Sequence, residues 1–318
     1  MKRKKWLWLL LLLPLIPLIF FPSFLFYTTA PVVEGESSFN IDYNAEQSLD
    51  FYYPTQKKFE LAPLVVFVHG GGWITGRKES INFNRFNGAI EKLRAAGFAV
   101  ASPSYTLAEG GKSPFPENIH DLIEAISWLK NHASMYDLDS NRIGLMGESA
   151  GAHLVLMLAL HAYVDEHPEW PQPKIDYLVD VYGPTEMKDL YFSETVDSLN
   201  SFIRKLPALL REPLDITVNL MGFDPQKDSV KAMEFMDNYS PIRYLRSDIP
   251  PCLVIHGDQD QLVNVEQSRR FVARLDSLKV SYKYHELAGV NHAFIGATDA
   301  QRDSVQKWIS NFIISQYP

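Results

Sequence analysis

The strongest constraint on the fold is a serine set among small residues at the junction of two apolar runs. Gly147, Ser149 and Gly151 form a G-x-S-x-G motif. Residues 141–146 before it resemble a strand, and residues 154–163 after it are helix-like. So tight a strand-to-helix turn strains the backbone at the serine, and glycines remove the clashes that larger side chains would make. The pattern predicts an accessible, reactive serine hydroxyl; a serine that only caps the helix is the alternative.

The remaining chain alternates between strand-like and helix-like runs. Strands are predicted near 39–43, 49–53, 64–68, 98–101, 142–146, 177–182, 251–256 and 280–287, and helices near 82–96, 117–132, 150–163 and 299–315. Alternating βαβ units imply a mostly parallel sheet with right-handed crossovers. A chain of 318 residues with 46% hydrophobic content can form one such domain. We therefore predict an α/β fold with a central sheet of about eight strands and helices on both faces.

Three consecutive glycines follow one of these strands. Residues 63–68 form a continuous apolar run, typical of a strand buried on both faces, which ends in H-G-G-G-W at 69–73. Glycines let backbone N–H groups approach a ligand closely, and such a loop forms an oxyanion hole with the residue after a nucleophilic serine. This predicts Gly71, Gly72 and Ala150 as donors. A flexible loop or a phosphate-binding turn is the alternative, but no G-K-[ST] follows to complete a P-loop.

Candidates for an acid and a base lie downstream of Ser149. The strand-like run 251–256 leads into Asp258 and Asp260, and catalytic groups of open α/β sheets lie beyond the carboxyl ends of strands. Asp260 is the favoured acid, because Asp258 follows the strand so closely that it is better placed to stabilise the turn. His292 lies on a glycine-containing loop after the next strand, and the order serine, acid, histidine matches a nucleophile-elbow enzyme. Packing roles are the default for the other eight histidines.

These motifs resemble those of α/β-hydrolase esterases of the hormone-sensitive-lipase-like and BD-FAE-like groups. The matching segments are H-G-G-G-W at 69–73, G-E-S-A-G-A-H at 147–153, H-G-D-x-D-x-x-V at 256–263 and N-H-A-F at 291–294. The resemblance spans residues 40–316 and implies the α/β-hydrolase fold. It also implies cofactor-free ester hydrolysis through an acyl-enzyme. The roles that it assigns are nucleophile for Ser149, acid for Asp260, base for His292, and oxyanion donors for Gly71, Gly72 and Ala150.

The motifs specify the chemistry better than the substrate. The resemblance and an exported location would suit acetyl or feruloyl esters of carbohydrates, so the expected partner is a small-molecule or carbohydrate-linked ester. An amide hydrolase, such as a formamidase or a peptidase, would use the same residues. A non-catalytic binding protein is a further alternative, which the intact set of three residues disfavours. The chain has no room for the large β domain that many peptidases of this fold carry.

Residues 184–245 break the alternation of strands and helices. Their helical periodicity is patchy, and they are rich in aromatic residues and methionine. They precede the strand that bears the acid, so an insertion here lies at the carboxyl end of the sheet and can cover the site. We predict a small helical lid within a catalytic domain of residues 31–318; an ordinary helical connection is the alternative.

The N-terminus predicts a separate targeting device in residues 1–30. Four basic residues at 2–5 precede an uncharged run from Trp6 to Tyr27, long enough for a spanning helix or a signal-peptide core. Thr28, Thr29 and Ala30 offer a cleavage site, but Pro31 would hinder cleavage. We therefore favour an uncleaved anchor with the catalytic domain outside the cytoplasm. A secreted or periplasmic protein, cleaved after the signal, is the alternative.

Charge and cysteine content narrow the classes of partner. The formal net charge is −8, although four of the basic residues lie at the extreme N-terminus, so the catalytic domain is strongly acidic. A domain of this charge is a poor ligand for nucleic acid or an anionic lipid surface. The single Cys252 cannot form an internal disulfide and is expected in the core. No Cys/His cluster has zinc spacing, so no metal is predicted.

Overall fold

An eight-stranded sheet organises the chain in the computed structural model, which describes residues 34–82, 85–203, 205 and 215–317, with the side chain of Leu199 left out. The strands are β1 (Ser37–Asp42), β2 (Ser48–Tyr52), β3 (Ala62–Val68), β4 (Ala99–Pro103), β5 (Leu138–Glu148), β6 (Leu178–Val181), β7 (Cys252–Gly257) and β8 (Tyr282–Leu287). Their order is β1-β2-β4-β3-β5-β6-β7-β8. β1 and β2 pair antiparallel, as do β2 and β4. All other neighbours are parallel.

Helices cover both faces of the sheet. They are α1 (Asn87–Ala95), α2 (Glu117–Asn131), α3 (Ala150–Ala159), α4 (Met187–Tyr191), α5 (Glu194–Ile203), α6 (Ile216–Met221), α7 (Ser229–Asn238), α8 (Glu266–Ser277) and α9 (Asp299–Ile314). On β3, Leu64, Val66 and Val68 belong to the same core as the buried sides of α2, α3 and α8. The alternate residues Val65 and Phe67 pack in a second core with α1 and α9. The predicted α/β fold class is confirmed.

Most differences from the predicted elements concern their lengths, but α8 lies between β7 and β8, where no helix is predicted from the sequence. β5 extends from residue 138 to 148, longer than the predicted 142–146, because it continues its pairing with β3 as far as Gly147. α3 ends at Ala159 rather than at residue 163. The helix predicted over 82–96 begins later, at Asn87, and residue 82 instead ends a separate 3₁₀ turn over residues 78–82.

The described residues of the predicted insertion, 184–245, include four short helices, α4 to α7. The insertion begins shortly after the carboxyl end of β6 and finishes shortly before the amino end of β7. Residues 204 and 206–214 of this insertion lie outside the described residues.

The segment predicted as a signal or membrane anchor, residues 1–30, also lies outside the described residues. Within the part of the chain that the structure describes, no helix is both long and apolar enough to span a bilayer.

Candidate active site

Ser149 occupies the turn between β5 and α3 with a strained backbone. Its φ is 51° and its ψ is −122°, in a region that side-chain-bearing residues seldom adopt. The Ser149 N–H donates to the carbonyl of Val181 on β6 over 2.9 Å, which holds the turn against the neighbouring strand. A Cβ added to Gly151 would overlap the carbonyl oxygens of Val68 and His69, so only glycine lets α3 start this close to β3. The Ser149 hydroxyl makes no helix-capping bond.

The structure brings Ser149, His292 and Asp260 into one hydrogen-bonded line. Ser149 Oγ lies 3.0 Å from His292 Nε2, and His292 Nδ1 lies 2.7 Å from Asp260 Oδ2. The three residues follow β5, β8 and β7, so each lies beyond the carboxyl end of a parallel strand. Both distances are within hydrogen-bond reach of a nucleophile, a base and an orienting acid.

A second histidine, His256 at the end of β7, binds the same carboxylate oxygen. His256 Nε2 lies 3.1 Å from Asp260 Oδ2 and 2.9 Å from the carbonyl oxygen of Val263. Both partners only accept, so Nε2 carries the proton, and the hydroxyl of Ser268 donates to Nδ1 over 2.7 Å in the neutral tautomer. The His256 side chain is fully buried. Sequence reasoning treated it as an ordinary strand residue, although its spacing of four from the acid was the available signal.

Asp260 is held in its ionised form. Burial alone would raise the pKa of its carboxyl, but the hydrogen bonds from His256 and His292 outweigh burial and place that pKa well below its usual value. Its other oxygen, Oδ1, accepts backbone N–H bonds from Leu262 and Val263. The neighbouring candidate, Asp258, instead accepts the N–H of Gly289 at 2.6 Å and so braces the loop that leads to His292.

The glycine loop curves around the serine. Gly71 has a φ of 126° and Gly72 a φ of 61°, both in the region that favours glycine. A Cβ on Gly71 would overlap the carbonyl of Thr75, whose N–H donates back to the Gly71 carbonyl. Gly71, Gly72 and Ser149 line one cavity. Ala150 is the first residue of α3, so its N–H belongs to the free helix N-terminus beside the serine.

The buried ring of Tyr182 packs beside the ring of His292. The two ring centres are 4.8 Å apart, and the Tyr182 hydroxyl donates to Glu148 Oε2 over 2.7 Å. Glu148 also forms an ion pair with Arg85 at 3.3 Å. Glu148, which precedes Ser149, is therefore linked through Tyr182 to the ring of His292. This contact could not be predicted from the sequence, because the order of strands and motifs does not specify how a tyrosine ring packs.

The ring of His153, the histidine of the G-E-S-A-G-A-H motif, makes no hydrogen bond to Ser149, Asp260 or His292 within the described part of the chain, although its backbone N–H donates to the Ser149 carbonyl over 3.1 Å. It is fully buried; its Nε2 lies 2.8 Å from the carbonyl oxygen of Tyr239, and its ring packs edge-on against Trp73. Burial lowers its pKa to about 4, so it is neutral at physiological pH. It connects α3 to the end of the insertion.

An apolar cavity of about 290 Å³ opens beside Ser149. Three methionines and three aliphatic residues of the insertion form much of its wall: Met187, Leu190, Val196, Leu220, Met221 and Met236. A polar groove of about 700 Å³ borders the other side of the glycine loop, lined among others by His69, Gln47, Thr106 and Glu109. Within the described chain, no cluster of three or more His, Cys, Asp or Glu residues could hold a metal ion.

Comparison with known proteins gives a consistent family. The BD-FAE family model matches residues 49–275. The esterase LipC of Mycobacterium tuberculosis is 30% identical over 253 residues, which are 78% of this chain and 57% of the relative. LipM of the same organism, a probable carboxylic ester hydrolase, is 26% identical over 89% of this chain and 61% of its own length. The chain therefore spans little more than half the length of these relatives.

Among solved structures, a truncated carbohydrate esterase from gut microbiota superposes with a TM-score of 0.68 at 21% identity, covering 91% of this chain and 99% of that one. At this level of identity the likeness concerns the fold, and it agrees with the order of strands and helices described above.

Proposed function

Because the chain belongs to the BD-FAE family of α/β-hydrolases, we propose that it is a serine esterase that cleaves carboxylic esters with Ser149, Asp260 and His292. The observation that carries this proposal is the continuous hydrogen-bonded line from Ser149 Oγ through His292 to Asp260, at 3.0 and 2.7 Å. The esterase names of the relatives support the same chemistry.

The mechanism follows from the position of each group. His292 Nε2 takes the hydroxyl proton as Ser149 Oγ attacks the ester carbonyl, and Asp260 stabilises the imidazolium through Nδ1. The N–H groups of Gly71, Gly72 and Ala150 are assigned to the developing oxyanion. His292 then gives its proton to the departing alcohol, which leaves an acyl-Ser149. A water molecule, activated by His292, releases the acid and restores the serine.

The apolar cavity and the polar groove beside the glycine loop bind different parts of the substrate. The apolar cavity receives the hydrophobic part of the ester, and the polar groove suits a hydroxyl-rich part. Since one structural neighbour is a carbohydrate esterase, this arrangement supports an ester carried on a sugar as substrate, with acetyl or feruloyl as the acyl group. The insertion over residues 184–245 contributes much of the cavity wall, in keeping with a role as a lid.

Ser149→Ala provides the direct test. Wild-type protein should hydrolyse short p-nitrophenyl esters, and the variant should lose about 10⁴-fold or more of kcat while its thermal unfolding midpoint stays close to wild type. A fluorophosphonate probe should label the wild type and not the variant. Ser149→Ala protein that retains near-wild-type turnover would remove Ser149 from the mechanism. p-Nitroanilides of the same acids, assayed in parallel, distinguish an amidase, which would cleave them at rates comparable to the esters.

A further inference from the structure

A hydrogen-bonded pair of polar side chains lies in the largely apolar wall of the cavity beside Ser149. Asn200 on α5 is 7% exposed and Thr217 on α6 is 5% exposed, and both line the cavity. The Thr217 hydroxyl donates to Asn200 Oδ1 over 3.1 Å. Burying a polar group without a hydrogen-bond partner is unfavourable. Each donor of this pair is therefore expected to have a hydrogen-bond acceptor.

The amide nitrogen of Asn200 is the part of this pair for which the described residues provide no hydrogen-bond acceptor. Because Oδ1 accepts from Thr217, the amide orientation leaves Nδ2 with two N–H donors. No described residue accepts a hydrogen bond from them. None of the described residues that line the cavity carries a formal charge, so the group that would satisfy Nδ2 is a neutral oxygen rather than a carboxylate.

We propose that Asn200 is a specificity residue that donates a hydrogen bond to an oxygen within the hydrophobic part of the substrate. On the basis of the proposed esterase function, the favoured substrates are esters whose apolar chain carries an ether, hydroxyl or carbonyl oxygen at one position. A plain alkyl chain would fill the cavity but leave the Asn200 donors desolvated and unpaired. Sites built to hydrogen-bond a substrate discriminate strongly against analogues that lack the matching group.

The test compares methyl heptanoate with analogues in which an ether oxygen replaces the methylene at position 4, 5 or 6. Acid release is followed by pH-stat, and each rate is divided by that of alkaline hydrolysis to remove inductive effects. Wild-type protein should favour one analogue by about fivefold in kcat/KM, as expected for one neutral hydrogen bond. Hexyl acetate and its ether analogues form a second arm, which reveals whether the cavity takes the acyl or the alcohol side. Equal rates across both series would overturn the proposal.

Variants separate recognition from folding. Asn200→Leu and Asn200→Asp should both abolish the preference: the first removes the amide, and the second keeps an acceptor for Thr217 but no N–H donors. Thr217→Val should reduce the preference, because the amide loses the bond that orients it. Asn238→Leu is the matched control, since Asn238 lies in the same insertion, binds Glu166 and does not line the cavity. A preference that survives in Asn200→Leu would refute the assignment.

Methyl acetate distinguishes this proposal from the esterase function itself. Its short acyl group does not need the cavity, so wild type and the Asn238→Leu control should both hydrolyse it and react with the fluorophosphonate probe, whether or not Asn200 recognises an ether oxygen. Wild-type protein that neither hydrolyses methyl acetate nor reacts with the probe would overturn the esterase function. Normal methyl acetate turnover with no ether preference would overturn only the role of Asn200.

Discussion

One carboxylate oxygen of Asp260 accepts hydrogen bonds from two imidazole rings, whereas orienting His292 alone would require only one. His292 reaches Oδ2 from the solvent side, and His256 reaches it from the buried side. The second contact limits rotation of the carboxylate and reduces the electron density available to His292. His256 is therefore expected to act through Asp260, as a positioning residue, and not on the substrate.

We predict that His256→Phe lowers kcat about tenfold with little change in KM, as expected for the loss of one hydrogen bond to a charged group. His256→Gln should recover part of the loss, because its amide can donate to Asp260 in place of Nε2. Steady-state kinetics on a p-nitrophenyl ester, with unfolding midpoints to check folding, measure both effects. Equal kcat values in the wild type and His256→Phe would contradict the positioning role.

The low pKa of Asp260 makes a prediction about stability and pH. Its folded-state pKa is lowered, so ionised Asp260 stabilises the fold above the pKa of the unfolded chain, near 3.8, and this contribution is lost as the pH falls below that value. Asp260→Asn should lower the thermal unfolding midpoint at pH 7. The gap from wild type should narrow between pH 4 and pH 2. A gap that stays constant over this range would contradict the assignment of the low pKa.

At the scale of elements, hydropathy and turn motifs were sufficient to predict the strands, and the motif order predicted which strand ends would meet. The proximity of Ser149, Asp260 and His292 could be predicted because each follows a parallel strand of the sheet. The His256 contact and the Asn200–Thr217 pair could not. They depend on how side chains of β7 and of the insertion pack, and neither periodicity nor residue spacing specifies that packing.

The insertion also makes a testable prediction as an element. Leu220 on α6 is buried and lines the cavity, so Leu220→Trp should fill part of it. We expect kcat/KM for p-nitrophenyl hexanoate to fall on the order of tenfold while that for the acetate changes little. Val230→Trp, at an exposed position of the same insertion, is the control and should leave the ratio unchanged. If the two variants gave the same hexanoate-to-acetate ratio, the insertion would not shape the substrate pocket.

At the scale of the whole molecule, we propose that residues 1–30 anchor an extracytoplasmic catalytic domain. The full-length chain should sediment with membranes, resist a high-salt wash and dissolve in detergent. A chain that starts at residue 34 should stay in the supernatant with unchanged kcat/KM, because the described core contains both faces of the sheet. An intact N-terminus recovered from the soluble extracellular fraction would rule out the anchor.

The long separation between Ser149 and His292 has a consequence for the order of events during synthesis. The two residues that we propose exchange the proton are 143 positions apart, and β6, the insertion, β7 and β8 all lie between them. A nascent chain that has released its serine turn from the ribosome therefore carries a nucleophile without a base. The proposed hydrolysis can begin only when the loop after β8 emerges and closes onto the sheet, so the polypeptide is chemically inert through most of its translation.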